Sequence, residues 1–227
     1  MLTNEEPTPG SSTSLDKKND RSYFFHMSEK GQITRSRLLA VGLDTISVEG
    51  LTGLTLGGLA VEAGVSKSGL FAHFKSKEDL QLSLLEATVR LASAHVVAPA
   101  MNVEPGLPRL KTVVENWLGW STRSGLRGGC PIAAAIFELD DLCGEIRDRV
   151  LQQEAAWRGL LVGLVREAVK CGHLPENVDV DQFVWELFGI YLSHHASSRF
   201  LRDPKARDRA RAAFTALVRR AGTNDAD

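Results

Sequence analysis

Residues 54–80 read LTLGGLAVEAGVSKSGLFAHFKSKEDL, and this run admits essentially one local fold. Thr55 can cap a short helix by accepting an orphan amide hydrogen bond, and that helix runs to about Ala63. Gly64 supplies the left-handed conformation that a tight turn needs. Ser66 then caps a third helix, and Lys77-Glu78-Asp79 opens a fourth whose Leu80, Leu84, Ala87 and Leu91 share one face. Upstream, from Ile33, Leu39, Leu43 and Ile46 follow the i, i+4, i+7 rule until Gly50 stops the first helix. The result is a compact four-helix unit whose second and third helices form a helix-turn-helix. Such a unit offers one short helix to the major groove of DNA.

The remainder is also helical by periodicity. Breaks fall at Pro105 and Pro108, at Gly128 to Pro131, near Gly144, at Gly172 to Pro175 and at Pro204. Between them the pattern predicts helices over Leu110–Trp120, Ile132–Leu139, Ile146–Cys171, Val180–Phe200 and Lys205–Arg220. Period-2 alternation and hairpin dipeptides between β-branched runs are absent, so the fold class is all-α. No internal repeat is visible. A chain of 227 residues accommodates two units: a helix-turn-helix domain over 29–80 and a larger helical domain over 81–227. Residues 1–28 are rich in Thr, Ser, Pro, Asn and charge and read as a disordered tail. Met27 stands directly before the organised part and is an alternative natural start.

Composition narrows the partners. Hydrophobic content of 43% and charged content of 24% describe an ordinary globular chain, and a net charge of -1 excludes no function class, although a protein that wraps DNA through broad electrostatics is usually strongly basic. DNA contact must therefore come from a local cluster. Cys130, Cys143 and Cys171 are widely spaced, odd in number and without a C-x-x-C pair, which fits a reducing compartment. With no secretory h-region and no stretch near ~18 apolar residues, the expectation is a cytoplasmic protein without a membrane partner.

From Arg37 the order runs Arg-Leu-Leu, then Ile46 and Gly50, Leu54-Thr55-Leu56, Leu59-Ala60, Ala63-Gly64-Val65-Ser66, Leu70-Phe71-Ala72-His73-Phe74 and Lys77-Glu78-Asp79-Leu80. This resembles the N-terminal domain of the tetracycline-repressor (TetR) family of bacterial one-component regulators. The likeness is close from Thr34 to Leu80 and beyond that rests on helical layout and length. Lys67 can reach a phosphate or a guanine edge from the start of the third helix, where Ser66 and Ser68 permit close approach. The resemblance implies backbone contacts from His73, Lys75 and Lys77, and Thr55 combines capping with a phosphate contact. Two positions depart from the family pattern: Phe71 replaces a common tyrosine, and Gly69 a frequent hydroxyl residue. Both belong to the candidate DNA-binding set. Gly57 and Gly58 each cost the second helix roughly 1 kcal/mol relative to alanine, so packing of Leu56, Leu59 and Ala60 must hold it. Between Lys30 and Arg90 there are seven basic residues against six acidic ones, so clustering of Lys67, Lys75 and Lys77 matters more than the sum.

The same resemblance implies that the second domain binds a small-molecule effector, apolar or aromatic, and forms a homodimer. Candidate ligand residues are Trp117, Trp120, Cys130, Phe137, Trp157, Phe188, Tyr191 and His195. At helical spacing most of these aromatics also read as core, and Cys130 as a buried thiol or a sensor. His194 and His195 point about 100° apart on a helix, and no metal site or cofactor is expected. The dimer surface is expected from the last two long helices, with Phe183, Leu187 and Ile190 along one stripe and Ala206, Ala210, Ala213 and Leu217 along another. The function that follows is a repressor that binds a double-stranded palindromic operator as a dimer and is released by its effector. The alternatives are a small all-α enzyme using Cys130 with His194 or His195, and a ligand-independent DNA-binding module.

Overall fold

The computed structural model describes residues 29–222; the tail expected over residues 1–28 lies outside them. Among the described residues the regular structure is entirely helical. Helix α1 (Glu29–Gly53) is interrupted at Gly50, where φ is 77° and one further turn follows. Helices α2 (Leu56–Glu62) and α3 (Lys67–Phe71) form the helix-turn-helix, and α4 (Lys77–Ala92) leaves it. Since α4 runs unbroken through residue 80, the boundary drawn there falls within its first turn.

Beyond α4 the chain widens into a π-helical turn (Ser93–Val97) and then tightens into a 3-10 turn (Ala98–Asn102), neither expected from periodicity. There follow α5 (Leu107–Trp117), α6 (Trp120–Arg123), α7 (Pro131–Glu138), α8 (Glu145–Lys170), α9 (Val180–Arg199) and α10 (Ala206–Gly222). The helix expected over Leu110–Trp120 is thus two. Gly119 adopts φ 74° between them, and Arg123 turns back to donate to the Leu118 carbonyl at 2.6 Å, satisfying an orphan acceptor at the end of α5.

One apolar core runs through both halves of the chain. Leu38, Ile46, Leu59, Leu70, Phe74 and Leu84 fill its N-terminal part, and Leu110, Val113, Leu161, Val165 and Phe183 its C-terminal part. Helices α1, α4 and α7 pack together where the two meet. On α9, Phe183 and Leu187 are buried within the chain, whereas Ile190 lines an open groove across α9 and α10 together with Ala206, Ala210, Ala213 and Leu217 of the α10 stripe. Periodicity locates an apolar face but does not say which neighbour covers it. The uncovered face carries Trp185, 65% exposed, beside Gly189 and Ala213.

Candidate nucleic-acid interface and its linked cavity

Three serine and threonine caps shape the interface. Thr55 Oγ1 accepts from the Gly58 amide, Ser66 Oγ from Gly69 and Ser76 Oγ from Asp79, each at 3.0 Å. Caps of this kind contribute about 1 kcal/mol each, which a five-residue helix such as α3 needs because it cannot persist alone. The glycines have a role here. A Cβ on Gly58 would sit 2.9 Å from Thr55 Oγ1, and one on Gly69 would sit 3.2 Å from Ser66 Oγ, so both leave room for the caps. Gly64 closes the turn between the helices at φ 65°.

With Leu70 buried beneath it, α3 turns Lys67, Ser68 and Phe71 outward, Phe71 being 49% exposed. Ser66 and Ser68 lie with their hydroxyls 3.0 Å apart. Lys75 is exposed, whereas Lys77 is half-buried and its Nζ donates to the Thr52 carbonyl at 3.2 Å. His73 is also half-buried, with an enclosed Nδ1 that has no partner. Arg35 and Arg37 are engaged within the domain: Arg35 bonds Ser83 and lies over Phe74, and Arg37 bonds the Ala63 carbonyl.

Tertiary packing alters the local charge. Of the six acids between Lys30 and Arg90, Asp44 and Glu62 pair with Arg127 and Glu86 with Arg149, both arginines lying outside that stretch. The basic cluster is consequently stronger than the sequence sum indicates.

Behind this unit lies a cavity of about 240 Å³, walled by α4, the π-helical turn and α5 to α9. Trp117, Trp120, Cys130, Trp157, Phe188 and Tyr191 all line it. Trp117 and Tyr191 stack with ring centroids 3.8 Å apart, and Trp157 meets Trp117 edge-on at 4.9 Å. Two expected members do not line the cavity. Phe137 is 61% exposed, because Ile132, Ala133 and Ile136 take the inward face of α7. His195 lies behind the wall, close to Gly129 and Tyr191. Residues missed from the sequence include Thr88, Val89 and Ala92 of α4, Val96 of the π-helical turn, and Gln153 and Glu154 of α8. The π-helical turn is the kind of irregularity that gathers at functional sites, but no side-chain pattern announces it.

Burial pushes the Cys130 thiol up, away from the thiolate, and Tyr191 well above its usual range. The alternative with Cys130 as nucleophile therefore finds no support. Burial also raises the Glu154 carboxyl, against its ion pair with Arg158. Among the described residues, no group of three or more His, Cys, Asp or Glu is placed to hold a metal, and no helix is long and apolar enough to cross a membrane.

His194 and His195 both titrate below the ordinary histidine value of 6.5, through burial first and then neighbouring positive charge: Arg207 and Arg123 for His194, Arg199 and His194 for His195. Their folded state binds protons less readily than the unfolded chain. The contribution to stability is thus whole above pH 6.5 and is lost as pH falls below it. Melting temperature is expected to drop between about pH 7.5 and 5.5, and the double variant His194→Gln/His195→Gln to flatten that drop. An equal slope in the variant would exclude these histidines as its source.

The corner before α7 joins cavity to interface. Gly129 N donates to the Ser47 carbonyl and Gly128 N to Ser47 Oγ, each at 2.9 Å. Arg127 bridges Asp44 of α1 and Glu62 of α2. Cys130, which follows Gly129 directly, lines the cavity. At the far end of α7, Glu138 accepts from Thr52 N at 3.0 Å.

Residues 38–88 match the tetR family of bacterial regulatory proteins, and residues 106–214 match the tetracyclin repressor-like C-terminal domain. The transcriptional regulator AcuR of Cereibacter sphaeroides is 24% identical over 153 residues, covering 66% of this chain and 68% of that protein. A TetR transcriptional regulator from Chloroflexus aurantiacus superposes with a TM-score of 0.75 at 24% identity, covering 85% of this chain and 96% of that one. The regulator FadR from Bacillus subtilis, solved in complex with stearoyl-CoA, superposes at 0.63 with 18% identity, covering 81% and 97%. At these identities the structural likeness speaks for the fold.

Proposed function

Because the chain belongs to the TetR family of bacterial regulatory proteins and is a DNA-binding, ligand-responsive regulator, we propose that it is a homodimeric repressor. Its two α3 helices enter successive major grooves of a palindromic operator, about 34–36 Å apart, and a molecule in the aromatic cavity releases it. What carries this reading is that α4 and α7 serve both ends at once. Helix α4 begins beside α3 and lines the cavity with Thr88, Val89 and Ala92, while α7 lines it with Ile132 and Ile136 and holds α1 through Glu138. A ligand that moves either helix also moves α3. By linkage, DNA must weaken ligand binding by the same factor.

At the interface Lys67 and Ser68 make the direct approach, the hydroxyls of Ser66 and Thr55 donate to phosphate while their oxygens cap, and Gly69, its amide held by Ser66 Oγ, leaves room for close approach. Phe71 presents an apolar edge suited to a thymine methyl. Lys75 takes a phosphate, and Lys77 and His73 support the backbone contact from partly buried positions. The second copy packs on the groove across α9 and α10, where Trp185 supplies a large apolar anchor beside the small Gly189 and Ala213.

Selection of bound sequences from a random DNA pool tests the reading, with an inverted repeat as the expected product. Recovery of no sequence, or of one lacking two-fold symmetry, overturns the dimeric operator. With the selected site, Lys75→Ala is expected to weaken binding uniformly across sequences and to lower the slope of log K against log salt by about 1 per subunit. An unchanged slope would remove Lys75 from the phosphate contacts.

A further inference from the structure

The cavity wall joins five aromatic rings to a single carboxylate. Trp117, Trp120, Trp157, Phe188 and Tyr191 line it, Glu154 is its sole acid, and no Lys, Arg or His is among its residues. Trp117 is the hub of the rings: it stacks on Tyr191 with centroids 3.8 Å apart and lies 4.9 Å from Trp157 and 6.1 Å from Phe188. Aromatic faces carry the negative end of the ring quadrupole, so such a wall attracts a cation. Phe188 already holds one, since the guanidinium of Arg158, a residue that does not line the cavity, lies over its ring at 4.0 Å.

Glu154 supplies the charge. Its side chain is 14% exposed and its Oε1 accepts from Arg158 Nε at 2.8 Å, while Oε2 takes no hydrogen bond among the described residues and is not enclosed. Half of the carboxylate is thus still open. Burial raises this carboxyl despite Arg158, so a second positive neighbour would relieve a charge that one guanidinium compensates only in part. Cys130 and Tyr191, both pushed up by burial, add no charge of their own. An anionic ligand would lose its hydration, gain no cation from the lining and face Glu154. Volume sets the size: about 240 Å³ exceeds the ~150 Å³ of a cavity that takes up benzene, so a molecule of one ring and a small head fills the space and meets rings and carboxylate together.

We propose that the effector is a compact organic monocation, one ring with a small ammonium head, held between the aromatic rings around Trp117 and the carboxylate of Glu154. The inference rests on the reading of the cavity as the effector site, and it adds the ligand's charge and size. Because Arg158 offsets part of the Glu154 charge, the preference for a cation is moderate, and removing Arg158 strengthens it.

The test uses the full chain and three probes that differ chiefly in charge: benzyltrimethylammonium, its carbon isostere neopentylbenzene, and 3-phenylpropanoate. Binding is measured through tryptophan fluorescence, with thermal melting as a check on folding. The wild type is expected to bind the cation about tenfold tighter than the isostere and the anion weakest. In Glu154→Gln/Arg158→Gln, which removes the ion pair without leaving a stray charge, the preference for the cation is expected to fall to a few-fold, and in Arg158→Gln to rise, with neopentylbenzene bound alike by all three chains. A tenfold preference that survives the double variant overturns Glu154 as the recognising group. Equal binding of cation and isostere by the wild type, or a preference for the anion, overturns the proposed class, and this ranking decides even if a variant fails to fold. Either result leaves the cavity standing as the effector site if Ala92→Phe or Val89→Phe, which fill it, abolishes binding. Binding of none of the probes by the wild type, or binding that survives both filling variants, overturns the site and the class together.

Discussion

Leu70→Ala is expected to abolish operator binding while the aromatic cavity continues to take up its ligand. Leu70 is the buried residue of α3, with 0% of its surface exposed, and the helix has only five residues. Truncating a fully buried leucine costs about 2–5 kcal/mol, a large share of the ~5–15 kcal/mol that holds a typical domain. The loss falls on the least self-sufficient helix of the interface. Its caps orient the first turn, but docking against the core comes from Leu70. DNA affinity is expected to fall at least about a hundredfold, which corresponds to roughly 2.7 kcal/mol. Fluorescence anisotropy with the selected operator gives the affinity, and hydrogen exchange locates the change to residues 56–74 rather than to α8. Retention of operator affinity within a few-fold would show that α3 is held by something other than Leu70.

Gly128→Ala is expected to be nearly as severe and to act at a distance from both sites. A Cβ there would lie 1.7 Å from the Ser47 carbonyl oxygen and 2.0 Å from its carbon, both backbone atoms of α1. No rotamer change relieves that overlap. The corner must withdraw from α1, losing the two hydrogen bonds to Ser47 and displacing Arg127 from Asp44 and Glu62. Overpacking of about 1–3 kcal/mol with two hydrogen bonds at about 1 kcal/mol each suggests a loss of about 3–5 kcal/mol. For a chain of this size that lowers the melting temperature by about 10 °C. The functional consequence is larger still in relative terms, because the variant should bind DNA with nearly the same affinity whether or not the cavity is filled. Comparison of operator affinity with and without a ligand that releases the wild type measures this ratio. A melting temperature within about 1 °C of wild type, together with an unchanged ratio, would rule out the corner as the connection.

These two substitutions differ in how well the sequence foretells them. Leu70 sits within a string whose caps, turn glycine and apolar spacing all act over four or five residues, so its place in a short docked helix is legible from neighbours in the chain. Gly128 is visible only as a break. What makes it sensitive is Ser47, more than eighty residues earlier, and nothing local encodes that approach.

The cavity divides in the same way. Aromatic residues on α5, α8 and α9 are evident as apolar positions, and six of the eight expected side chains meet around one space. Phe137 is one step from Ile136 on α7 and points outward, since α7 turns Ile132, Ala133 and Ile136 to the wall and sends Glu138 to Thr52. Helical periodicity defines a stripe to within about one residue, and a neighbouring helix decides which edge of the stripe is covered.

By itself, then, the sequence determined what depends on contacts along the chain: the all-helical class, the caps at Thr55 and Ser66, the breaks at Gly50 and Gly64, and the solvent-facing set on α3. Tertiary structure alone decided which acids are neutralised by Arg127 and Arg149, which aromatic rings share a cavity, and how that cavity reaches α1 through Gly128 and Gly129. The physical reason is range. Capping and periodicity act within one or two helical turns, whereas burial and ion pairing depend on how helices distant in sequence cross.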